Sequence, residues 1–249
     1  MPASTSLKFV LTAFLAAGAS ACGGGTSLLH PAQTLGKGDV SIGAGLSSQP
    51  VLLALPSQSS VEKTETAKFL QERAIAPAIA PWIGARFGLA GDNEVGLTYS
   101  GRSLRLDGRH AFAVNKKIAI SLGLGGQAIL AARRELPSMP TSFSAGGLDV
   151  PVLLGWQSTG GLYAGWIGPR AGITWFTGRA ALSDKAETKL AGYDARVGLV
   201  AGLRLGFRNI HVALEMAGDW HFVSGSIGEF DVSFGQLSLT PAGALITSF

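Results

Sequence analysis

Reactive side chains gather in few places along this 249-residue sequence. The densest stretch is WHFVSGSIGEF, residues 220–230, which holds His221, Ser224 and Glu229. A hydroxyl, a base and an acid of these types cleave esters when the base lies within hydrogen-bond reach of the hydroxyl. The alternative is a polar loop end. The four histidines, His30, His110, His211 and His221, share no ligand spacing, and the single cysteine, Cys22, is remote from them. No metal site and no cofactor are expected. The glycine runs SLGLGGQ (121–127) and GGLYAGWIG (160–168) have the density of a phosphate loop. No helix follows either run, so the glycines are read as making room and easing curvature within strands.

Cys22 stands in LAAGASACGGG, residues 15–25. Before it, FVLTAFLAAG (9–18) is an apolar run of signal-peptide length, too short to span a bilayer as a helix. Ala19-Ser20-Ala21 supplies the small residues of an A-x-A cleavage site, so residues 1–21 read as a signal peptide and Cys22 as the new N-terminus. Ala19-Ser20-Ala21-Cys22 also resembles the lipobox of bacterial lipoproteins, with Ala19 where that family prefers Leu. The resemblance implies lipidation at Cys22; ordinary cleavage that leaves a free thiol is the alternative. An unmodified lone cysteine is a liability in an oxidising compartment. Residues 22–36, beginning with the glycines after Cys22, read as a flexible lead-out.

The elements that position the remaining polar residues follow from composition and period. Apolar residues make up 47% of the chain and charged residues 14%, and glycines number 35. No apolar run after residue 22 is long enough for a membrane-spanning helix. The basic residues are dispersed, the longest runs being Lys116-Lys117 and Arg133-Arg134, so no nucleic-acid partner is expected despite a pI of 9.4. An apolar chain without long apolar runs must alternate. In YDARVGLVAGLRLGF, Tyr193, Val197, Leu199, Leu203, Leu205 and Phe207 share one face; Asp194, Arg196 and Arg204 share the other. EVGLTYSG, KIAISLGLGGQAIL and IHVALEMAGDWH alternate in the same way. Strands of this length separate an apolar medium from a polar one.

The polar faces carry arginine but no lysine. Arg86, Arg105, Arg109, Arg170, Arg196 and Arg204 stand with Glu94, Asp107, Asp149, Asp194, Glu215 and Asp219, six of each sign. A near-neutral set in which every cation is a planar fork suits a confined lumen, where carboxylates can be bound bidentately.

Ten strands are expected, near 37–46, 78–89, 94–100, 103–113, 117–131, 148–157, 161–177, 191–206, 210–221 and 232–248, with eight or twelve also compatible with the pattern. Short connections alternate with longer ones at 47–77, 132–147, 178–190 and 222–231; the two residues GR at 101–102 break the rule. Phe112, Trp156, Tyr163, Phe207 and Phe249 fall near the short-turn ends, and Tyr99, Trp175, Tyr193 and Trp220 near the long-loop ends. These are two aromatic girdles, as at two membrane interfaces. The fold class is therefore all-β: a closed antiparallel transmembrane barrel over residues 37–249. An even strand count, short turns at one end and a final aromatic in LITSF resemble the bacterial outer-membrane barrels, which implies both barrel ends of the chain on the periplasmic side and outer-membrane lipid as partner. In the loop 47–77, SVEKTETAKFLQERA has a charge pattern that supports a short helix. Such a helix can lie over the mouth or fold inward as a plug; a solvated loop is the default.

Ten strands leave a lumen that side chains largely fill. The expected function is a structural or interaction component of the cell envelope, with other envelope proteins as partners, of the kind used in motility or secretion machines. A narrow channel for ions or small solutes is the second reading. The third is a rim lipid hydrolase: some outer-membrane lipid A deacylases use a rim His, Ser and Glu. Their Ser follows the His by two residues, whereas Ser224 follows His221 by three and the rest of their signature is missing. No catalytic residue is assigned.

Overall fold

A computed structural model describes residues 25–101, 103–129, 142–180 and 187–249. Ten strands run in chain order: β1 (Val40–Ser48), β2 (Ile79–Gly88), β3 (Asn93–Ser100), β4 (Ser103–Ala113), β5 (Ile118–Ile129), β6 (Ser142–Gln157), β7 (Tyr163–Ala180), β8 (Thr188–Phe207), β9 (Ile210–Ile227) and β10 (Phe230–Ser248). Each pairs antiparallel with its chain neighbours, and β1 pairs with β10 from Ser41↔Ser248 to Ser47↔Ala242, which closes the barrel. Where all ten strands run together closure leaves no sheet edge, so the backbone can satisfy its own hydrogen bonds inside a bilayer. The signal peptide 1–21 and Cys22 lie outside the described residues.

The barrel wall is uneven in height. β1 to β5 have 8–12 residues, whereas β6 to β10 have 16–20. In the shared lower zone the large apolar residues point outward and are exposed, among them Leu97, Leu122, Leu199 and Leu214. Trp156, Tyr163 and Phe207 mark one boundary of this zone and Trp175, Tyr193 and Trp220 the other, all of them outward. The twelve residue steps from Tyr163 to Trp175 rise ~30 Å at a tilt of about 40°.

Beyond Trp175, Tyr193 and Trp220 the alternation inverts. Phe143, Phe176, Leu190, Val223, Ile227, Val232 and Phe234 now point inward and are buried. Ser142, Ser144, Thr177, Arg179, Lys189, Asp231 and Ser233 point outward and are exposed. A strand that leaves hydrocarbon for water must exchange its faces, and the tall side of the wall does so. This corrects the expected loops. β6 begins at Ser142, β7 and β8 extend to Ala180 and from Thr188, and 222–231 is a hairpin turning at Gly228-Glu229, with Gly228 at φ +60°.

The loop after β1 is not a solvated loop. Ser60 accepts a hydrogen bond from the Lys63 amide at 3.3 Å and caps helix α1 (Val61–Leu70), which has Glu62 in its first turn and Lys68 in its last. One π-helical turn, Gln71–Ile75, follows and stops at Ala76 with φ +55°. Phe69, Leu70, Ala74 and Ile75 are buried against the inward apolar layer of the tall wall. That layer can escape water only by drawing a segment of the chain into the mouth, and α1 with its π turn is that segment.

Residues 25–36 are not a flexible lead-out. They thread the lower lumen ahead of β1, where Leu28, Leu29 and Ala32 pack against Trp82, Leu153, Trp166, Val200 and Ala213. The lumen is thus filled by two segments of the same chain, one in each half.

Candidate functional site

All twelve charged residues read from the polar faces point into the lumen. Six of them form one alternating chain across β2, β3, β4 and β6. Arg109 meets Glu94 at 2.9 Å, Glu94 meets Arg86, Arg86 meets Asp107 at 2.6 Å, Asp107 meets Arg105 at 2.7 Å, and Arg105 meets Asp149 at 2.8 Å. On the opposite wall Arg170 holds Asp219 bidentately, with Nε 2.7 Å from Oδ1. Buried charges at this depth cost several kcal/mol each unless every one is paired. Alternation along the chain supplies that pairing with charge-assisted bonds. Two inward glycines leave space for it: a Cβ at Gly96 would lie 2.6 Å from Arg86 Nη1, and one at Gly125 would lie 2.7 Å from Arg105 Nε.

The same residues hold the lower plug. Glu215 accepts from the consecutive amides of Leu28 and Leu29, both at 2.7 Å, and from Trp166 Nε1 at 3.2 Å. Leu29 has φ +56°, which turns two successive N–H groups toward one carboxylate, an anion-binding concavity of backbone origin. Glu94 accepts from the Leu35 amide at 2.9 Å. Arg170 donates to the Thr26 carbonyl at 2.9 Å, and Arg109 donates to the carbonyls of Pro31 and Gln33, the latter at 3.0 Å. Arg109 Nη1 also lies 2.7 Å from His30 Nδ1. The same His30 Nδ1 lies 3.2 Å from the Pro31 carbonyl.

Among the described residues, one lumenal cavity of about 30 Å³ lies beside Arg86, Arg109 and Arg204 and another of about 20 Å³ between Gln49, Ile75, Arg196 and His221. Each has room for one or two waters. Arg196 Nε and Arg204 Nε are buried without a hydrogen-bond partner among the described residues.

The rim constellation His221, Ser224 and Glu229 is not assembled. His221 points inward at 1% exposure, Ser224 is on the opposite face of β9, and Glu229 sits in the hairpin turn. A separation of three in a strand puts two residues on opposite faces. His221 is bonded to Asp194 and Ser238 instead. Sequence reasoning also missed Trp82, Trp166 and residues 25–35 as lumen groups. The apolar pair Leu28-Leu29 beside the glycine run was a usable signal, since a solvated leader has no need of it.

No family model and no curated protein matches the chain. Among solved structures, Neisserial surface protein A is similar at 10% identity over 85% of this chain and 96% of its own, with a TM-score of 0.35. The attachment invasion locus protein Ail of Yersinia pestis gives 12% identity, 86% and 99% coverage and a TM-score of 0.33. The N-terminal β-barrel domain of Pseudomonas aeruginosa OprF gives 11%, 85%, 99% and 0.31. The class of this protein rests on its own geometry: a closed ten-strand antiparallel β-barrel with an apolar outer belt and a charged, filled lumen.

Proposed function

We propose that this chain is a barrel of the bacterial outer membrane that serves as a structural or interaction platform of the envelope, one component of a larger envelope assembly. The single observation that carries this reading is the double plug. Residues 25–36 and Val61–Ile75 pack into both halves of the lumen, and among the described residues the lumenal cavities beside them are about 30 and 20 Å³. A wall so filled offers other molecules its rims and the polar outer face of its tall side. That face rises beyond the membrane as β6 to β10 and carries Ser142, Ser144, Thr177, Arg179, Lys189, Asp231 and Ser233. Outer-membrane placement is supported by the belt between the two aromatic boundaries, which matches a hydrocarbon layer.

The second reading is a narrow channel. Arg196 and Arg204 favour it, since each lines a cavity with an unpartnered Nε. Conduction would require both residues 25–36 and Val61–Ile75 to leave. Recording from the purified barrel in planar bilayers separates the two. The platform reading expects silent insertions, with envelope proteins recovered in fixed ratio after cross-linking in intact cells. Stable ohmic conductance without any perturbation would replace it by the channel.

A further inference from the structure

One arrangement in the upper lumen belongs neither to the ion-pair chain nor to the grip on the lower plug. Asp194, His221 and Ser238 stand on the adjacent strands β8, β9 and β10 and all point inward, at 2%, 1% and 0% exposure. His221 Nδ1 lies 2.9 and 3.0 Å from the two oxygens of Asp194, and His221 Nε2 lies 3.0 Å from Ser238 Oγ. A carboxylate accepts, so Nδ1 carries the proton. Nε2 then presents a lone pair, and the Ser238 hydroxyl donates to it. Gln49 Nε2 lies 3.3 Å from both Ser238 Oγ and His221 Nε2 and can donate to either. Acid on one ring nitrogen and serine on the other is the order that makes a serine nucleophilic.

What lies above the three residues supplies the substrate class. Moving outward along the same strands, Gln236 of β10 comes first, across from His221 and bonded to Gln71 of the upper plug and to the Leu53 carbonyl; beyond it the large inward residues are Leu190 on β8, Val223 and Ile227 on β9, and Phe234 and Val232 on β10. These form an apolar chamber, now occupied by Phe69, Leu70 and Ile75 of the upper plug. Ile75 also roofs the small cavity that His221 and Gln49 line. Removing the plug would free Gln236 of its Gln71 partner and open the apolar chamber one inward position above Ser238.

We propose that Asp194, His221 and Ser238 form an acyl-ester hydrolysis site, masked by Val61–Ile75, whose substrate inserts an apolar acyl chain where Phe69, Leu70 and Ile75 now sit. Ser238 Oγ attacks the ester carbonyl carbon as its proton passes to His221 Nε2. The bond to the alcohol oxygen then breaks, and that oxygen takes the proton back from His221. Water, giving a proton to the same Nε2, cleaves the acyl-serine, releases the carboxylic acid and restores Ser238. Gln49 Nε2 is the side-chain amide placed to meet the developing oxyanion. Asp194 is a positioning residue that fixes the ring tautomer. This site stands apart from the platform reading, and neither depends on the other.

The test uses the full chain in detergent with a fluorophosphonate probe and p-nitrophenyl octanoate. Leu70→Glu places a charge in the buried apolar layer and expels the plug. The variant is expected to gain a single phosphonyl adduct, mapped to Ser238 by peptide mass, and to hydrolyse the ester. Ser238→Ala in the same background should lose both. Asp194→Asn should slow adduct formation on the order of 10³–10⁴-fold, because the amide reverses the tautomer; a merely structural Asp194 would leave the rate unchanged. A Leu70→Glu barrel that keeps its heat-modifiable migration but forms no adduct at Ser238 overturns the proposal. If that variant does not fold, wild type is incubated with probe at rising temperature below its melting point. Slow adduct formation at Ser238 supports the site, and its absence there overturns it.

Discussion

Replacing Glu215 by Gln tests whether the lower plug is held by the residues that touch it. The carboxylate accepts from the Leu28 and Leu29 amides at 2.7 Å each. An amide side chain of the same shape keeps one acceptor oxygen and turns an NH₂ group toward the other backbone donor. The remaining bond falls from charge-assisted to neutral strength, about 1 kcal/mol, and one buried N–H loses its partner at about 1–3 kcal/mol. The plugged state should therefore weaken by about 2–4 kcal/mol, which shifts its ratio to the open state by roughly 30- to 1,000-fold. Hydrogen exchange read by mass spectrometry measures that ratio. The Leu28 and Leu29 amides lose their acceptor in the variant and would speed up for that reason alone. The informative amide is Leu35, which is bonded to Glu94 and not to Glu215. Its exchange should accelerate within the same range while strand amides of β8 and β9 stay protected. Unchanged exchange at Leu35, or acceleration spread evenly through the strands, would refute the view that residues 25–36 move as a unit pinned at Glu215.

Two further outcomes follow from the wall and the leader. Leu199 lies opposite Pro169, midway between the aromatic boundaries, and Leu205 lies opposite Tyr163 at one of them; both are exposed on the outer face. Leu199→Arg should cost about 2–4 kcal/mol and Leu205→Arg about 0–1 kcal/mol in denaturant unfolding from vesicles, and equal costs would misplace the membrane. Intact-mass measurement of the mature protein should show Cys22 heavier by a diacylglyceryl group, with or without a third acyl chain, and Cys22→Ala should lack that mass; a free thiol at residue 22 leaves ordinary signal cleavage.

The barrel was legible because its signal repeats. Val95-Leu97-Tyr99, Ile118 to Leu124 and Tyr193 to Phe207 each carry the same two-residue period, and one medium outside and another inside enforce it over the whole membrane zone. The six arginines and six carboxylates were legible for the same reason, since each sits in phase with its strand. Their pairing was not, because Arg105 on β4 reaches Asp149 on β6 across 44 residues of sequence, and that reach depends on the registers of β4–β5 and β5–β6 and on Gly125 between them.

The strand extensions were hidden by the physics that made the rest plain. At Phe222-Val223 the outward face ceases to be the apolar one, so Val223, Gly225 and Ile227 read as a broken pattern when the rule is apolar outward. Read as an exchange of medium, the same residues continue β9 with its faces reversed. The upper plug inherits that difficulty. Nothing in VEKTETAKFLQERAI demands burial by itself, because its apolar residues are few and widely set among charges. The demand comes from Phe143, Phe176, Leu190, Val223, Ile227, Val232 and Phe234, which stand above the membrane on an inner face that would otherwise meet water. Once the inversion is recognised, a segment long enough to reach that face and carrying Phe69, Leu70 and Ile75 is required, and the chain between β1 and β2 provides one. The fate of the loop is therefore set by the strands it covers.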